Sequence, residues 1–347
     1  RFIEVAIGQM RRLEIVSRAL HAEGFGAFAK AITELSGLDR VLVMNTGAEA
    51  NETAIKAALK WGYKVKGVPE GQAKIIAMHG NFHGRTTTIM SFSDDENARD
   101  GFGPFTPGFE LVDYNDVEAL EAAIDENTVA VLLEPIQGES GVRVPDEGYL
   151  RAVRELTQRR GVLMICDEVQ TGMGRTGTMF AHQRAGIVPD VMTLAKGLGG
   201  GLPIGAVLAT GPAADLFGPG QHGTTFGGNP VCAAAAVAVL DHIADHGLLD
   251  HVDHVGKVLA TGIEDLGHPQ IDHVRGQGLL LGVVLNSAIS SASEAAARDR
   301  GFLINAPAPN VLRLAPPLIL TEEQAQSFIT ALPGILDAAT AAQAGSE

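Results

Sequence analysis

Cysteine is nearly absent. The 347 residues hold two, Cys166 and Cys232, with neither metal-ligand spacing nor the density of a disulfide scaffold, and Cys166 lies in an apolar run. A reducing, cytoplasmic setting without a metal centre is the expectation. Basic charge is also scarce: 26 Lys and Arg stand against 41 Asp and Glu, a formal net charge of -15. Nucleic acid, covered in phosphate, is repelled by most of such a surface. Long apolar runs are missing too. Stretches such as 129–136 and 162–166 fall far short of the roughly 20 residues that span a bilayer, so no membrane span is expected. Residues 1–20 carry charges throughout and lack the apolar stretch and small-residue cleavage site of a secretion signal. No internal repeat or low-complexity tract is present.

What remains is an ordinary globular balance, 46% apolar and 19% charged, which places the whole chain well inside the folding regime. Its length allows a large core and suggests two domains. Short apolar runs at 41–44, 74–78, 130–134, 162–167, 190–195 and 206–210 alternate with amphipathic segments. That alternation predicts an α/β fold around a buried, largely parallel sheet. A helix is expected from Ala48 to about Trp61, its inner face formed by Ile55, Ala58 and Leu59. Another is expected over 145–160, packing through Leu150, Val153 and Leu156 and ended by Gly161. After the alanine-rich run 233–238, a His- and Asp-rich helix (241–254), a strand (278–285) and a last helix (322–339) mark a smaller C-terminal domain.

Two strand ends carry the chemistry. One apolar run closes on Asp167 and Glu168, another on Lys196 and a glycine tract. In open α/β sheets ligands gather beyond the carboxyl ends of the strands, so Asp167 and Lys196 can face one site. A pyridine-ring cofactor needs an anion beside its ring nitrogen and an amine to hold its aldehyde, and these two residues supply both. Each has a plainer explanation. Acidic strand ends also hold metal in nucleotidases, yet no G-x-x-x-x-G-K-[ST] loop accompanies this one. Lys196 alone reads as a solvated strand-end lysine; its pairing with Asp167 and two phosphate-binding candidates favours the chemical role. Those candidates are residues 45–49, a strand-to-helix turn where Gly47 and Ala48 can offer backbone N–H groups to an anion, and 223–230, where Thr224 and Thr225 sit among glycines. Taken singly, the first is an ordinary capped turn and the second a flexible loop.

Together these motifs resemble the class III aminotransferases, specifically the ornithine and acetylornithine aminotransferases. The resemblance covers nearly the whole chain: MNTGAEANETAIK from Met44, NFHGRT from Asn81, GFGPFTPGF from Gly101, EPIQGESGV from Glu134, DEVQTGMGRTG from Asp167, TLAKGLGGGLPIGA from Thr193, GTTFGGNP from Gly223 and LRLAPPL from Leu312. It implies a fold-type-I transferase dependent on pyridoxal 5'-phosphate. A large cofactor-binding domain would span 20–238 and a small α+β domain 239–347, with 1–19 the remnant of an N-terminal segment of several tens of residues that relatives carry.

Residue by residue, the resemblance makes Lys196 the Schiff-base lysine and Asp167 the partner of the pyridine nitrogen. Val169 and Phe82 would pack on opposite ring faces, Gln170 would reach the phenolic oxygen, and Gly47 and Ala48 would bind the phosphate through their N–H groups. Many relatives have Thr where Ala48 stands, so one hydroxyl contact is missing. Thr225 would reach the phosphate of a neighbouring subunit, which implies a homodimer with shared sites. On the substrate side, Arg85 would bind the distal carboxylate of either substrate. Arg313 would bind the α-carboxylate of 2-oxoglutarate, Glu139 would neutralise Arg313 while the donor is bound, and Thr224 completes the set. The implied activity is transfer of the δ-amino group of N-acetylornithine or ornithine to 2-oxoglutarate, giving the semialdehyde and glutamate, a step of arginine biosynthesis. The first half of the chain is closer to the ornithine enzymes and the second half, from Gly138, to the bacterial acetylornithine ones. Another ω-amino-acid transaminase, a fold-type-I decarboxylase or aminomutase, and a cofactor-binding protein without turnover are the alternatives.

Overall fold

A computed structural model of the chain describes residues 2–17 and 19–344. It falls into two compact units. The first comprises Arg1–Pro135, Pro145–Met173 and Met179–Asp245; the second comprises Ile136–Val144, Gly174–Thr178 and the chain from His246 onward. The expected domain boundary at 238/239 lies inside the helix Pro230–Asp245.

The first unit is built on one seven-stranded sheet. Its strands are β1 (Arg40–Met44), β2 (Lys74–Met78), β3 (Phe109–Val112), β4 (Thr128–Leu133), β5 (Leu163–Asp167), β6 (Val191–Leu194) and β7 (Gly205–Ala209), in the spatial order β1-β7-β6-β5-β4-β2-β3. From β3 through β6 every neighbour runs parallel. β7 reverses direction and lies antiparallel to both β6 and β1. The link 195–204 is too short for the dozen or more residues that a parallel crossover requires. Six of the strands coincide with the apolar runs. The seventh, β3, is a short, half-buried edge strand and has no strong run to announce it.

The helices of this unit are α1 (Phe2–Met10), α2 (Phe25–Ser36), α3 (Gly47–Trp61), α4 (Glu96–Arg99), α5 (Val117–Ala123), α6 (Tyr149–Arg160) and α7 (Pro230–Asp245). Successive strand residues point to opposite faces, so each central strand feeds two cores. Ile75, Leu132 and Ile165 pack with Ala54, Ile55 and Ala58 of α3. Ile76, Val131, Leu133 and Met164 pack with Leu150, Val153 and Leu156 of α6. α6 begins at Tyr149 rather than at 145, because Gly148 adopts the left-handed conformation, φ 90°, just before it. Gly161 ends the helix as expected, its N–H donating to the carbonyls of Thr157 and Gln158.

The second unit carries an antiparallel sheet of β8 (Ile271–Gln277), β9 (Leu280–Leu285), β10 (Asn305–Ala308) and β11 (Val311–Leu314), in the order β10-β11-β9-β8. Its helices are α8 (Leu248–Glu264), α9 (Ser290–Asp299) and α10 (Glu322–Ala344). Val252, Val255 and Leu259 of α8 share a core with Phe328, Leu332 and Leu336 of α10. The helix expected over 241–254 is in fact interrupted: Gly247, at φ 58°, separates α7 from α8. Among the described residues no single helix is long and apolar enough to cross a membrane.

Gly256 of α8 lies against the β8–β9 turn, where an added Cβ would come within 2.2 Å of the Gly278 carbonyl oxygen. Alanine normally gains about 1 kcal/mol over glycine inside a helix, but here backbone would have to move, at about 1–3 kcal/mol or more. Gly256→Ala is therefore expected to lower the urea midpoint, and a raised midpoint would show that the turn yields freely.

Candidate active site

Asp167 and Lys196 come together because β5 and β6 are adjacent, parallel and in register, with Asp167 opposite Thr193. Both residues line one cavity of about 550 Å³ at the carboxyl ends of these strands. Lys196 stands two residues beyond the end of β6 and holds φ at 44°, a left-handed conformation that costs a non-glycine residue of order 1–3 kcal/mol and that clusters at functional sites. The following turn, 196–199, starts from that conformation.

Asp167 is only 3% exposed and accepts hydrogen bonds on both oxygens. Its Oδ2 receives Nδ2 of Asn51 and Nδ1 of His83, each at 2.7 Å. Its Oδ1 receives the N–H of Val169 at 3.0 Å and stands 2.9 Å from the Thr193 hydroxyl, which Asn51 Oδ1 also approaches at 3.0 Å. Burial pushes the Asp167 carboxyl up, but the hydrogen bond and charge of His83, the Val169 N–H and the Asn51 amide outweigh it, and the carboxyl lies below its ordinary value. An anion is thereby held ready on a side chain shielded from solvent.

The phosphate-binding candidate is the start of α3. Thr46 and Glu49 form a capping box: Glu49 N–H donates to Thr46 Oγ1 at 3.1 Å, and the Glu49 carboxylate accepts from the backbone N–H groups of Thr46 and Asn45. Gly47 and Ala48 are the first helical residues, whose N–H groups have no acceptor within the helix. Gly47 is required by proximity, since a Cβ there would meet Val169 Cγ1 at 2.9 Å. Phe82, Val169 and Gln170 line the same cavity as Lys196. Arg85 lines it too, with its guanidinium 5.5 Å from the centre of the Phe82 ring.

The remaining residues singled out from sequence are not part of that lining. Glu139 and Arg313, both in the second unit, form an ion pair at 2.9 Å, and Arg313 also donates to the Gly138 carbonyl at 3.0 Å. Thr224 accepts from Asn45 Nδ2 at 2.8 Å, and Asn45 itself lines the cavity. Thr225 does not; it lines a separate cavity of about 340 Å³ beside Phe25 and Asn229.

Sequence reasoning missed Asn51, His83, Thr193 and Glu134. Asn51 stands four residues after Gly47, on the same face of α3, and His83 directly follows Phe82, so both were within reach of helical spacing and motif position. Thr193 could be found only from strand register. Glu134 accepts the Phe82 N–H at 3.1 Å, a contact that depends on where two loops meet.

The groups present fit a phosphorylated pyridine aldehyde: unclaimed helix-start N–H groups, a lysine and a buried carboxylate in one cavity, and an aromatic ring beside them. A largely parallel sheet with these residues at its strand ends defines a fold-type-I pyridoxal-phosphate-dependent transferase. Solved structures agree. The ornithine aminotransferase of Toxoplasma gondii superposes with a TM-score of 0.94 at 39% identity, covering 99% of this chain and 83% of that one. The acetylornithine aminotransferase of Elizabethkingia anophelis gives 0.86 at 44%, covering 96% and 84%. The family model for aminotransferase class-III matches residues 1–336. The acetylornithine aminotransferase of Mycobacterium tuberculosis is 53% identical over 343 residues, 98% of this chain and 84% of that protein. Ornithine aminotransferase 2 of Staphylococcus aureus is 47% identical over 325 residues, 93% and 82%. The chain belongs to the class-III aminotransferases, an enzyme family whose cofactor is pyridoxal phosphate.

The depressed Asp167 value sets a pH dependence. Its stabilising contribution is present above the unfolded-state value of about 3.9 and is lost as pH falls through the lower folded-state value. Asp167→Asn should lower the melting temperature of cofactor-free protein at neutral pH, with the difference from the unsubstituted protein shrinking below about pH 4. A difference that stays constant across that range would contradict the assignment.

Proposed function

We propose that this aminotransferase moves the terminal amino group of N-acetylornithine or ornithine to 2-oxoglutarate, giving the semialdehyde and glutamate. The observation that carries the reading is the convergence of Asp167 and Lys196 on one cavity with the open start of α3. Relatives named for both donors lie within the same range of similarity, and the higher identity, 53% against 47%, favours N-acetylornithine.

Bound pyridoxal phosphate supplies an aldehyde carbon that takes up amino groups and a ring that draws electrons from the attached carbon. In this reading the Asp167 carboxylate holds a proton on the ring nitrogen. Gly47 and Ala48 would bind the phosphate through their N–H groups, Phe82 and Val169 would bracket the ring, and Gln170 would reach the phenolic oxygen. Lys196 Nζ would hold the aldehyde and, once the donor amine has taken its place there, would carry a proton as general base from the donor's amine-bearing carbon to the former aldehyde carbon.

Two differently shaped substrates must share these groups. Arg85 would grip the distal carboxylate of either as a bidentate pair. Arg313 would serve the α-carboxylate of 2-oxoglutarate. A donor reacting at its terminal amine brings no carboxylate there, and the 2.9 Å pair with Glu139 supports the idea that Glu139 neutralises Arg313 in that half-reaction. Thr224, tied to Asn45, would belong to the substrate side. We also infer a cytoplasmic homodimer with shared sites: the two cysteines are free and buried, and Thr225, outside the Lys196 cavity, suits the phosphate of a neighbouring subunit.

Borohydride reduction of the cofactor-loaded protein, followed by peptide mapping, should place the label on Lys196, and unlabelled Lys196 would sink the proposal. Glu139→Ala should slow the half-reaction with N-acetylornithine or ornithine more than that with glutamate, read as single-turnover absorbance changes. Equal losses in the two half-reactions would argue against the Glu139–Arg313 gate.

A further inference from the structure

The loop that precedes Thr224 is fastened to α3 by a set of contacts that the proposed chemistry does not use. His222 Nε2 lies 2.7 Å from Thr53 Oγ1, and His222 Nδ1 lies 2.9 Å from Lys56 Nζ. Lys56 also donates to the Gln221 carbonyl at 3.2 Å. One turn further along α3, Lys60 donates to the Leu216 carbonyl and to Gln221 Oε1. The Phe217 ring stacks on His222 at 5.2 Å.

Proton accounting leaves one consistent arrangement. An ammonium group only donates, so Nδ1 of His222 must accept from Lys56. A neutral imidazole then carries its proton on Nε2. That N–H needs an acceptor, and Thr53 Oγ1 provides one because its own proton is already committed to the Glu49 carbonyl at 2.7 Å. Each donor along Lys56, His222, Thr53 and Glu49 meets one acceptor. The opposite tautomer would set an N–H against the lysine ammonium at 2.9 Å.

We propose that His222, as the neutral tautomer protonated on Nε2, is a positioning residue that latches the 216–224 loop to α3 and so holds Thr224 against Asn45 at the edge of the cavity. The path is short. Thr224 stands two residues beyond His222 and accepts from Asn45 Nδ2, and the Asn45 backbone N–H is held by Glu49 from the same helix. The loop, the cavity edge and the start of α3 therefore share one scaffold.

Proton uptake at Nδ1 would turn the Lys56 contact from attraction into repulsion. The charged groups facing the ring are Lys56, which disfavours that uptake, and Glu49, which favours it; Lys60 holds the adjoining loop. Burial first and the Lys56 charge second hold His222 below the ordinary histidine value. Stability from the latch is thus complete above the unfolded-state value, about 6.5, and is lost as pH falls through the lower folded-state one.

The test begins on cofactor-free protein with ¹⁵N-labelled histidine, using His222→Gln to assign the signal. At pH 8 the expected spectrum shows His222 with a protonated Nε2 and a bare Nδ1, and Lys56→Gln should move its titration to higher pH. A proton on Nδ1 at pH 8 would overturn the latch, whatever the enzyme's activity. The consequence for Thr224 rests on the proposed function. His222→Ala should raise the donor KM about five- to tenfold, the scale of a lost hydrogen bond or two, while kcat changes little and His222→Gln recovers part of the loss. A KM unchanged in His222→Ala would refute the positioning role. Because the tautomer is read without cofactor or substrate, it stands or falls separately from labelling of Lys196.

Discussion

A buried carboxylate is tolerated only when hydrogen bonds replace the water it has lost, and an ion stripped of that water without compensation costs several kcal/mol. Asp167 is that carboxylate here, and much of the site is what its rescue requires. Asn51 must come from the first turns of α3, His83 from the loop after β2, Thr193 from the end of β6 and the Val169 N–H from the turn that follows β5. Four separated segments meet at one pair of oxygens. The same meeting brings Lys196, three residues after Thr193, to the cavity.

α3 serves several of these needs at once. Its inner face packs on the sheet through Ala54, Ile55 and Ala58, and its start offers the Gly47 and Ala48 N–H groups where the helix dipole favours an anion. Glu49 satisfies the neighbouring backbone donors as a capping box, which keeps the helix start in place without occupying those two groups. The side facing the 216–222 loop carries Thr53, Lys56 and Lys60. A helix that packs in the core, leaves N–H groups unclaimed at its start and holds a neighbouring loop gives little freedom to the cavity edge, which is what preorganised catalysis needs.

Much of this was legible from residue order. Strand ends closing on Asp167 and Lys196 pointed to one site because ligands gather at the carboxyl ends of parallel strands, and six of the seven strands of the large sheet were marked by apolar runs. The misses have local causes. β3 is an edge strand and needs few apolar residues. Gly247 breaks a stretch that otherwise keeps helical periodicity, and Gly148 delays α6. Asn51 is a polar residue on a helix whose apolar face draws attention first, and His83 sits in a loop beside Phe82, where no periodicity marks it.

Composition and motif order determined the α/β class, the lysine and carboxylate pair, and the family, since these depend on short-range periodicity and on residue types at strand ends. Register, and the partners it creates, was decided only in three dimensions. Whether Thr193 stands opposite Asp167, whether Glu139 reaches Arg313 and which nitrogen of His222 faces Lys56 depend on contacts between residues far apart in the chain. Such contacts are set by how strands align and where loops cross the sheet, and no local pattern records them.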